Sequence, residues 1–208
     1  MFVSFRSAAS AVLLSVVTLA IAASPAQAQS PTGTFEVGPS VSILRLNELD
    51  TTDVGIGVDA AWHLMPRLAI DGTFAWYPGG GDDRALKDQR RTLGLIGVRS
   101  GITRGGVDFY GRGRVGFLSF ADVGPVPCIQ IFPAPLTCQL ANGYTAFAVD
   151  LGGGAIIPVD STGTWKVRVD VGDLLVRYDQ EALRPNSERT DGFISHNLLF
   201  SAGLVFKF

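Results

Sequence analysis

The segment that most constrains this chain is its carboxy-terminal end, Asn197 to Phe208. Leu198, Phe200, Ala202, Leu204, Phe206 and Phe208 alternate there with Asn197, Ser201, Gly203, Val205 and Lys207. Successive side chains of a strand point to opposite faces, so this segment has one apolar face that ends on an aromatic residue. The chain also carries 25 glycines, scattered through its apolar segments where they break helices. The pattern predicts an all-β fold.

The amino-terminal end reads differently. Arg6 gives a positive start, Ala8 to Ala23 form an apolar run, and Ala26-Gln27-Ala28 is a small-x-small cleavage site. Residues 1–28 are therefore predicted to be a secretory signal peptide, and residues 29–208 a single domain. A membrane anchor fits less well, because the run falls short of the ~20 apolar residues that a bilayer-spanning helix needs.

Composition narrows the class of function. Removing the leader takes Arg6 from the 17 basic residues, which are outnumbered by 19 acidic ones. No basic stripe exists to neutralise phosphates, which argues against a nucleic-acid partner. Mean hydropathy is high at +0.28. Beyond the leader no long uncharged apolar run occurs, so the hydrophobicity is dispersed in alternation.

Eight alternating segments are predicted, near 34–46, 53–65, 67–77, 90–103, 106–121, 143–157, 164–177 and 193–208. Met65-Pro66-Arg67, Thr103-Arg104-Gly105-Gly106 and Pro158 to Gly163 are short connections, whereas 47–52, 78–89, 122–142 and 178–192 read as mostly longer, polar or Gly/Pro-rich. Short turns alternating with long loops are the organisation of a transmembrane barrel, turns in the periplasm and loops outside. A secreted β-sandwich or lipocalin-like barrel is the alternative, and it would bury its apolar face instead of exposing it.

The charged faces bear on that choice. Val54, Ile56, Val58, Ala60, Trp62 and Leu64 alternate with Asp53, Gly55, Gly57, Asp59, Ala61 and His63, and Trp165, Val167, Val169 and Val171 alternate with Lys166, Arg168, Asp170 and Gly172. With apolar faces outward, the interior receives Glu36, Asp59, Asp71, Asp150 and Asp170 together with Arg99, Arg112, Arg114, Arg168 and Lys207. A balance of signs is what a narrow closed barrel needs, since ions taken out of water are costly unless paired and hydrogen-bonded. In a sandwich the same positions would form the solvated outer face. Aromatic residues offer a separate check: Phe35, Trp62, Trp165, Phe206 and Phe208 fall near one end of the outward faces, and Trp76, Phe117 and Phe147 toward the other. Pro39 interrupts the first segment and predicts a bulge or local weakness.

The leader, the eight segments and the ending Ser195-His196-Asn197-Leu198-Leu199-Phe200-Ser201-Ala202-Gly203-Leu204-Val205-Phe206-Lys207-Phe208 resemble the small outer-membrane β-barrels of OmpA/OmpX type, many of which are called porin-like. The resemblance implies an eight-stranded antiparallel transmembrane barrel in the outer membrane of a Gram-negative cell. It implies that Phe200, Leu204, Phe206 and Phe208 form the signal read by the barrel assembly machinery. Outer-membrane lipid and lipopolysaccharide are the implied surroundings. Neither a cofactor nor a peptidoglycan-binding domain after the barrel is expected.

Cys128 and Cys138 flank nine residues of the longest loop. In an oxidising compartment they are expected to form a disulfide, and no His or further Cys lies near enough in sequence to make a metal site. Three functions remain open: a structural or surface-interaction barrel, a narrow gated pore whose conductance would depend on Arg112 or Arg168, and a lipid A-modifying enzyme. For the last, the imidazoles are His63, expected inward, and His196, expected outward near the loop end, so they cannot cooperate. Ser195 and His196 are adjacent and point to opposite faces. The acidic loop positions Asp82, Asp83, Asp179 and Glu181 read as solvated, and Gly79-Gly80-Gly81 and Gly152-Gly153-Gly154 lack the following helix of a phosphate loop. No catalytic residue is therefore assigned.

Overall fold

The structure, a computed structural model, describes residues 33–79, 90–121, 143–160, 164–178 and 192–208. The leader and both cysteines, Cys128 and Cys138, lie outside these residues. The described chain forms eight strands: β1 (Phe35–Leu46), β2 (Thr51–Met65), β3 (Leu68–Tyr77), β4 (Arg91–Arg104), β5 (Val107–Phe120), β6 (Tyr144–Pro158), β7 (Trp165–Tyr178) and β8 (Phe193–Lys207). Each pairs antiparallel with its neighbour in sequence, and β1 pairs with β8, so the sheet closes on itself and has no free edge. Eight alternating segments joined in sequence order give this meander without any crossover.

The connections at the two ends differ, and backbone conformation explains the tight ones. Gly105 and Gly106 between β4 and β5 have φ of 61° and 80°, a left-handed pair that glycine adopts without a Cβ clash. Pro66 and Arg67 alone separate β2 from β3. One expected loop is shorter than its sequence indicated: β1 and β2 stay paired up to Leu46 opposite Thr51, leaving residues 47–50 as a turn. The β-branched Thr51 and Thr52 extend β2 into the segment assigned to the loop. Asp50 closes the turn with φ of 49° and donates its N–H to the Asn47 carbonyl at 3.3 Å.

Pro39 also behaves differently from expectation. Its pairing with Val58 on β2 is continuous, and no bulge forms. The break is on the other side, where the β1–β8 ladder keeps one register but skips Gly38 and Pro39. A Cβ on Gly203 of β8 would meet the Pro39 carbonyl oxygen, so the backbone groups of this residue face β8, which is where its missing N–H leaves the gap. The register irregularity lies instead at the foot of β2, between His63 and Met65 beside the Pro66-Arg67 turn.

The outer wall is apolar. Ile56, Phe74, Ile96, Val115, Leu151 and Val171 are all exposed. Trp62, Trp165 and Phe208 ring the short-turn end of this wall, and Trp76, Phe117 and Phe147 the long-connection end. A contiguous apolar belt between two aromatic rings is the outside of a barrel solvated by lipid.

The interior is divided by height. Toward the short turns it is polar and charged. Toward the other end it is a buried apolar cluster that includes Leu44, Leu46, Leu93, Leu118, Phe120 and Leu174. The strands feeding this cluster are apolar on both faces there, as in Ile43-Leu44, Leu174-Leu175-Val176 and Leu198-Leu199-Phe200.

Closure by β1 and β8 is directly testable. Ser42 and Ser201 are opposite each other and buried, at a site where strand Cα atoms approach to about 4.5 Å. In a Cys128→Ser, Cys138→Ser background, Ser42→Cys with Ser201→Cys should oxidise to an intramolecular disulfide in the folded protein, seen as a mobility change that thiol reversal abolishes. Two free thiols under the same conditions would contradict the closed sheet.

Candidate functional site

The charged half of the interior is built from alternate residues of all eight strands. Its lowest layer centres on Glu36 of β1, which is buried. Lys166 Nζ of β7 lies 3.0 Å from Oε1, His63 Nε2 of β2 lies 3.2 Å from Oε2, and Arg99 of β4 donates to the same Oε2. His63 and Arg99 also meet, Nε2 to Nη2, at 3.1 Å.

Asp71 of β3 forms the next centre. Arg168 of β7 grips it with two parallel hydrogen bonds, Nη1 to Oδ1 at 2.8 Å and Nη2 to Oδ2 at 3.0 Å. Such a fork fixes the relative position of strands on opposite sides of the barrel, because both partners are planar. Arg114 of β5 reaches the same carboxylate at 3.4 Å and Thr73 Oγ1 at 2.5 Å. Thr73 in turn donates to Asp59 of β2, which brings that buried carboxylate into the cluster through a hydroxyl.

Asp150 of β6 accepts from Arg112 Nε at 2.9 Å and Arg114 Nε at 3.0 Å. Asp170 of β7 accepts from Arg168 Nε at 2.7 Å, from Ser201 Oγ at 3.3 Å and from the Tyr110 hydroxyl, and it pairs with Arg112. The Tyr110 ring packs against the Arg99 and Arg168 guanidiniums, with 5.3 and 5.5 Å from Cζ to the ring centroid. The layers are therefore continuous: Arg112 and Arg114 share Asp150, Arg114 and Arg168 share Asp71, and Arg168 and Arg112 share Asp170.

Of the interior residues read from sequence, Glu36, Asp59, Asp71, Arg99, Arg112, Arg114, Asp150, Arg168 and Asp170 are all buried, and Asp71 and Asp150 have no exposed surface. Lys207 is half-buried at the rim, and the lysine on Glu36 is Lys166. Lys166 lies on the same charged face of β7 as Arg168 and Asp170, so the alternation already carried it. His63 and Tyr110 are further members that charge counting passes over. A separate buried pair, Arg91 with Asp53, stands among the apolar residues nearer the other end, with Arg91 Cζ 5.5 Å from the Phe120 ring centroid.

The remaining sequence candidates lie apart from this cluster. Phe206 contacts both Trp165 and Phe208 on the outer wall, and Leu204 is exposed there. Phe200 stands opposite Ile43 and Val171. His196 faces outward, as its position in the alternation indicates, but not alone: its Nδ1 lies 2.7 Å from Asp173 Oδ2 on β7. Sequence separation conceals that pair, because it depends on the β7–β8 register. Asp82, Asp83, Asp179 and Glu181 lie outside the described residues, as do Cys128 and Cys138. Among the described residues no group of three His, Cys, Asp or Glu is placed to hold a metal ion.

Solved structures share this architecture. Neisserial surface protein A matches with a TM-score of 0.55 at 11% identity, over 84% of this chain and 96% of that one. The fold is that of the small outer-membrane β-barrels. The outer membrane protein OprG from Pseudomonas aeruginosa matches with a TM-score of 0.51 at 10% identity, over 86% of this chain and 97% of its own. The N-terminal barrel domain of OprF from the same organism gives 0.50 at 9% identity, over 86% and 100%. No protein-family model matches this chain, and no curated protein does.

The shared acids make a quantitative expectation possible. Asp71→Ala removes one of the two acids on Arg168 and one of the two on Arg114, leaving both buried guanidiniums short of a counter-charge, so it should destabilise the barrel by about 3–5 kcal/mol. Asp71→Leu combined with Arg168→Met should cost clearly less than Asp71→Ala, because no charge is left alone. Urea titration of the folded protein, followed by far-UV circular dichroism, measures both.

Proposed function

We propose that this chain is a closed, non-enzymatic outer-membrane barrel with a structural or surface-interaction role. The observation that carries the reading is the apolar cluster filling the interior beyond the charged layers. Leu44, Leu46, Leu93, Leu118 and Leu174 have no exposed surface and touch one another across the lumen. An eight-stranded barrel has an interior just wide enough for side chains to fill, and here an ion would have to cross a packed, leucine-rich section, in which the Arg91–Asp53 pair stands, after leaving the charged one.

That section weighs against the pore reading more heavily than the ion pairs do. Arginines and aspartates can exchange partners around a passing ion, whereas packed leucines offer it no ligand, and the Arg91–Asp53 pair among them is a single one. Against the enzymatic reading stand the surroundings of the outward imidazole: the outward neighbours of His196 on β8 are Ile194 and Leu198, and beyond the Asp173 carboxylate no hydroxyl or thiol among the described residues hydrogen-bonds its ring. Interaction would then belong to the connections at the long-loop end, which the barrel holds at the cell surface, while the turn end faces the periplasm. The assembly role of Phe200, Leu204, Phe206 and Phe208 belongs to the same reading.

The test is electrical. Protein reconstituted in planar bilayers should give no stable conductance steps. The combined substitutions Leu44→Ala, Leu93→Ala, Phe120→Ala and Leu174→Ala should open a water path and produce them. Regular steps from the wild-type protein would overturn the closed-barrel reading in favour of the pore.

A further inference from the structure

The turn end of the lumen holds a pocket of about 100 Å³, room for a few waters or for one molecule of a few heavy atoms. Strand register builds it. His63 of β2 is opposite Ala69 of β3, and Ala69 is opposite Arg99 of β4, so a single methyl group stands between an imidazole and a guanidinium and leaves a recess. Ile156 of β6 adds a second apolar side, and the exposed Arg67 of the β2–β3 turn lines the mouth.

The lining has donors that its own acceptors do not meet. Both of its carboxylates are engaged: Glu36 by Lys166, His63 and Arg99, and Asp108 by Thr103 Oγ1 at 2.5 Å, with Lys166 Nζ 3.9 Å away. Arg99 Nη1 is buried and makes no hydrogen bond, with Asp71 at 3.8 Å. His63 is only 8% exposed, and its Nδ1 is buried without a hydrogen-bond partner. In the tautomer in which Nε2 accepts from Arg99, Nδ1 carries a hydrogen that no acceptor meets, and such an unmet buried donor is costly. Arg67 makes no ion pair among the described residues.

Charge along the lumen is uneven in the same sense. The layers above hold Asp59, Asp71, Asp150 and Asp170 against Arg112, Arg114 and Arg168. At the turn end the inward side chains are Arg99, Lys166 and Lys207 against Glu36 and Asp108, with Lys207 directly opposite Glu36. Unmet donors and an excess of positive charge both call for an anion with several acceptor oxygens.

We propose that this pocket binds a small carboxylate, its oxygens taking the hydrogen bonds that Arg99, His63 and Arg67 leave unmade and its short stem lying against Ala69 and Ile156. A planar carboxylate matches a guanidinium fork, and the volume admits little more than an acetate-sized molecule. The site itself depends on the closed barrel. Only the compartment that supplies the ligand, the periplasm, depends on the orientation proposed above.

Sodium acetate titrated into the detergent-folded, isotopically labelled protein tests it by nuclear magnetic resonance, with sodium chloride at equal ionic strength as reference. Resonances of His63, Gly101 and Tyr110 should shift saturably with acetate and not with chloride. Acetamide, of the same shape without the charge, should bind about tenfold more weakly, the scale of one charge-assisted contact. Arg67→Glu, on the exposed turn, should weaken acetate by about tenfold, while Arg45→Glu, the same charge change at the opposite end, should leave it unchanged. Ala69→Leu fills the recess and should remove the saturable shifts. A dispersed β-barrel spectrum with no saturable response to acetate means a pocket of water alone and overturns the site while leaving the barrel intact. Equal affinity for acetate and acetamide, or undiminished acetate binding by Arg67→Glu, would overturn it as well. A collapsed spectrum in detergent would overturn both the site and the barrel that forms it.

Discussion

The structure depends on one constraint: eight strands closed into a barrel leave an interior that only side chains can occupy, and a charged side chain there must be met by opposite charge from other side chains of the barrel. Asp71 shows the consequence. It accepts two hydrogen bonds from Arg168 across the lumen and a third from Arg114 beside it. Through the acids that these arginines share, β3, β5, β6 and β7 are tied at one height, and Glu36 ties β1, β2, β4 and β7 one layer lower. Inter-strand hydrogen bonds close the wall, and the ion pairs fix how the wall stands around its axis. A network in which Asp71, Asp150 and Asp170 each serve more than one arginine is costly to interrupt.

The division of the interior gives the molecule its polarity. The charged layers lie toward the short turns, and the leucine-rich cluster toward the long connections. Both fill space, but they do so with different chemistry. The paired section opens at its margin, where Glu36, His63 and Asp108 line a small pocket at the turn end.

Alternation made most of the fold legible. Each strand begins and ends within a few residues of its apolar/polar pattern, and the inward charges follow from which face is apolar. Three features were not readable, each for a physical reason. The leucine cluster was hidden because Leu44, Leu174 and Leu199 are inward residues in stretches apolar on both faces, where period two carries no contrast. The exchange of Lys207 for Lys166 was hidden because the two share the inward face and differ only in height, which closure sets and no single strand encodes. The pairing of Asp173 with His196 required the β7–β8 register, in which Asp173 lies opposite Leu198 and His196 opposite Leu175. Pro39 was readable as a disturbance, but its direction depends on which neighbour the missing N–H faces.

The closed membrane barrel is the central claim, and electrophoretic mobility of the detergent-folded chain tests it most directly. Unheated protein should migrate as a compact, faster band that boiling converts to the position of the unfolded chain. Protein that stays soluble without detergent and migrates identically before and after boiling would contradict it, and would turn the apolar outer wall into the buried face of a different β structure.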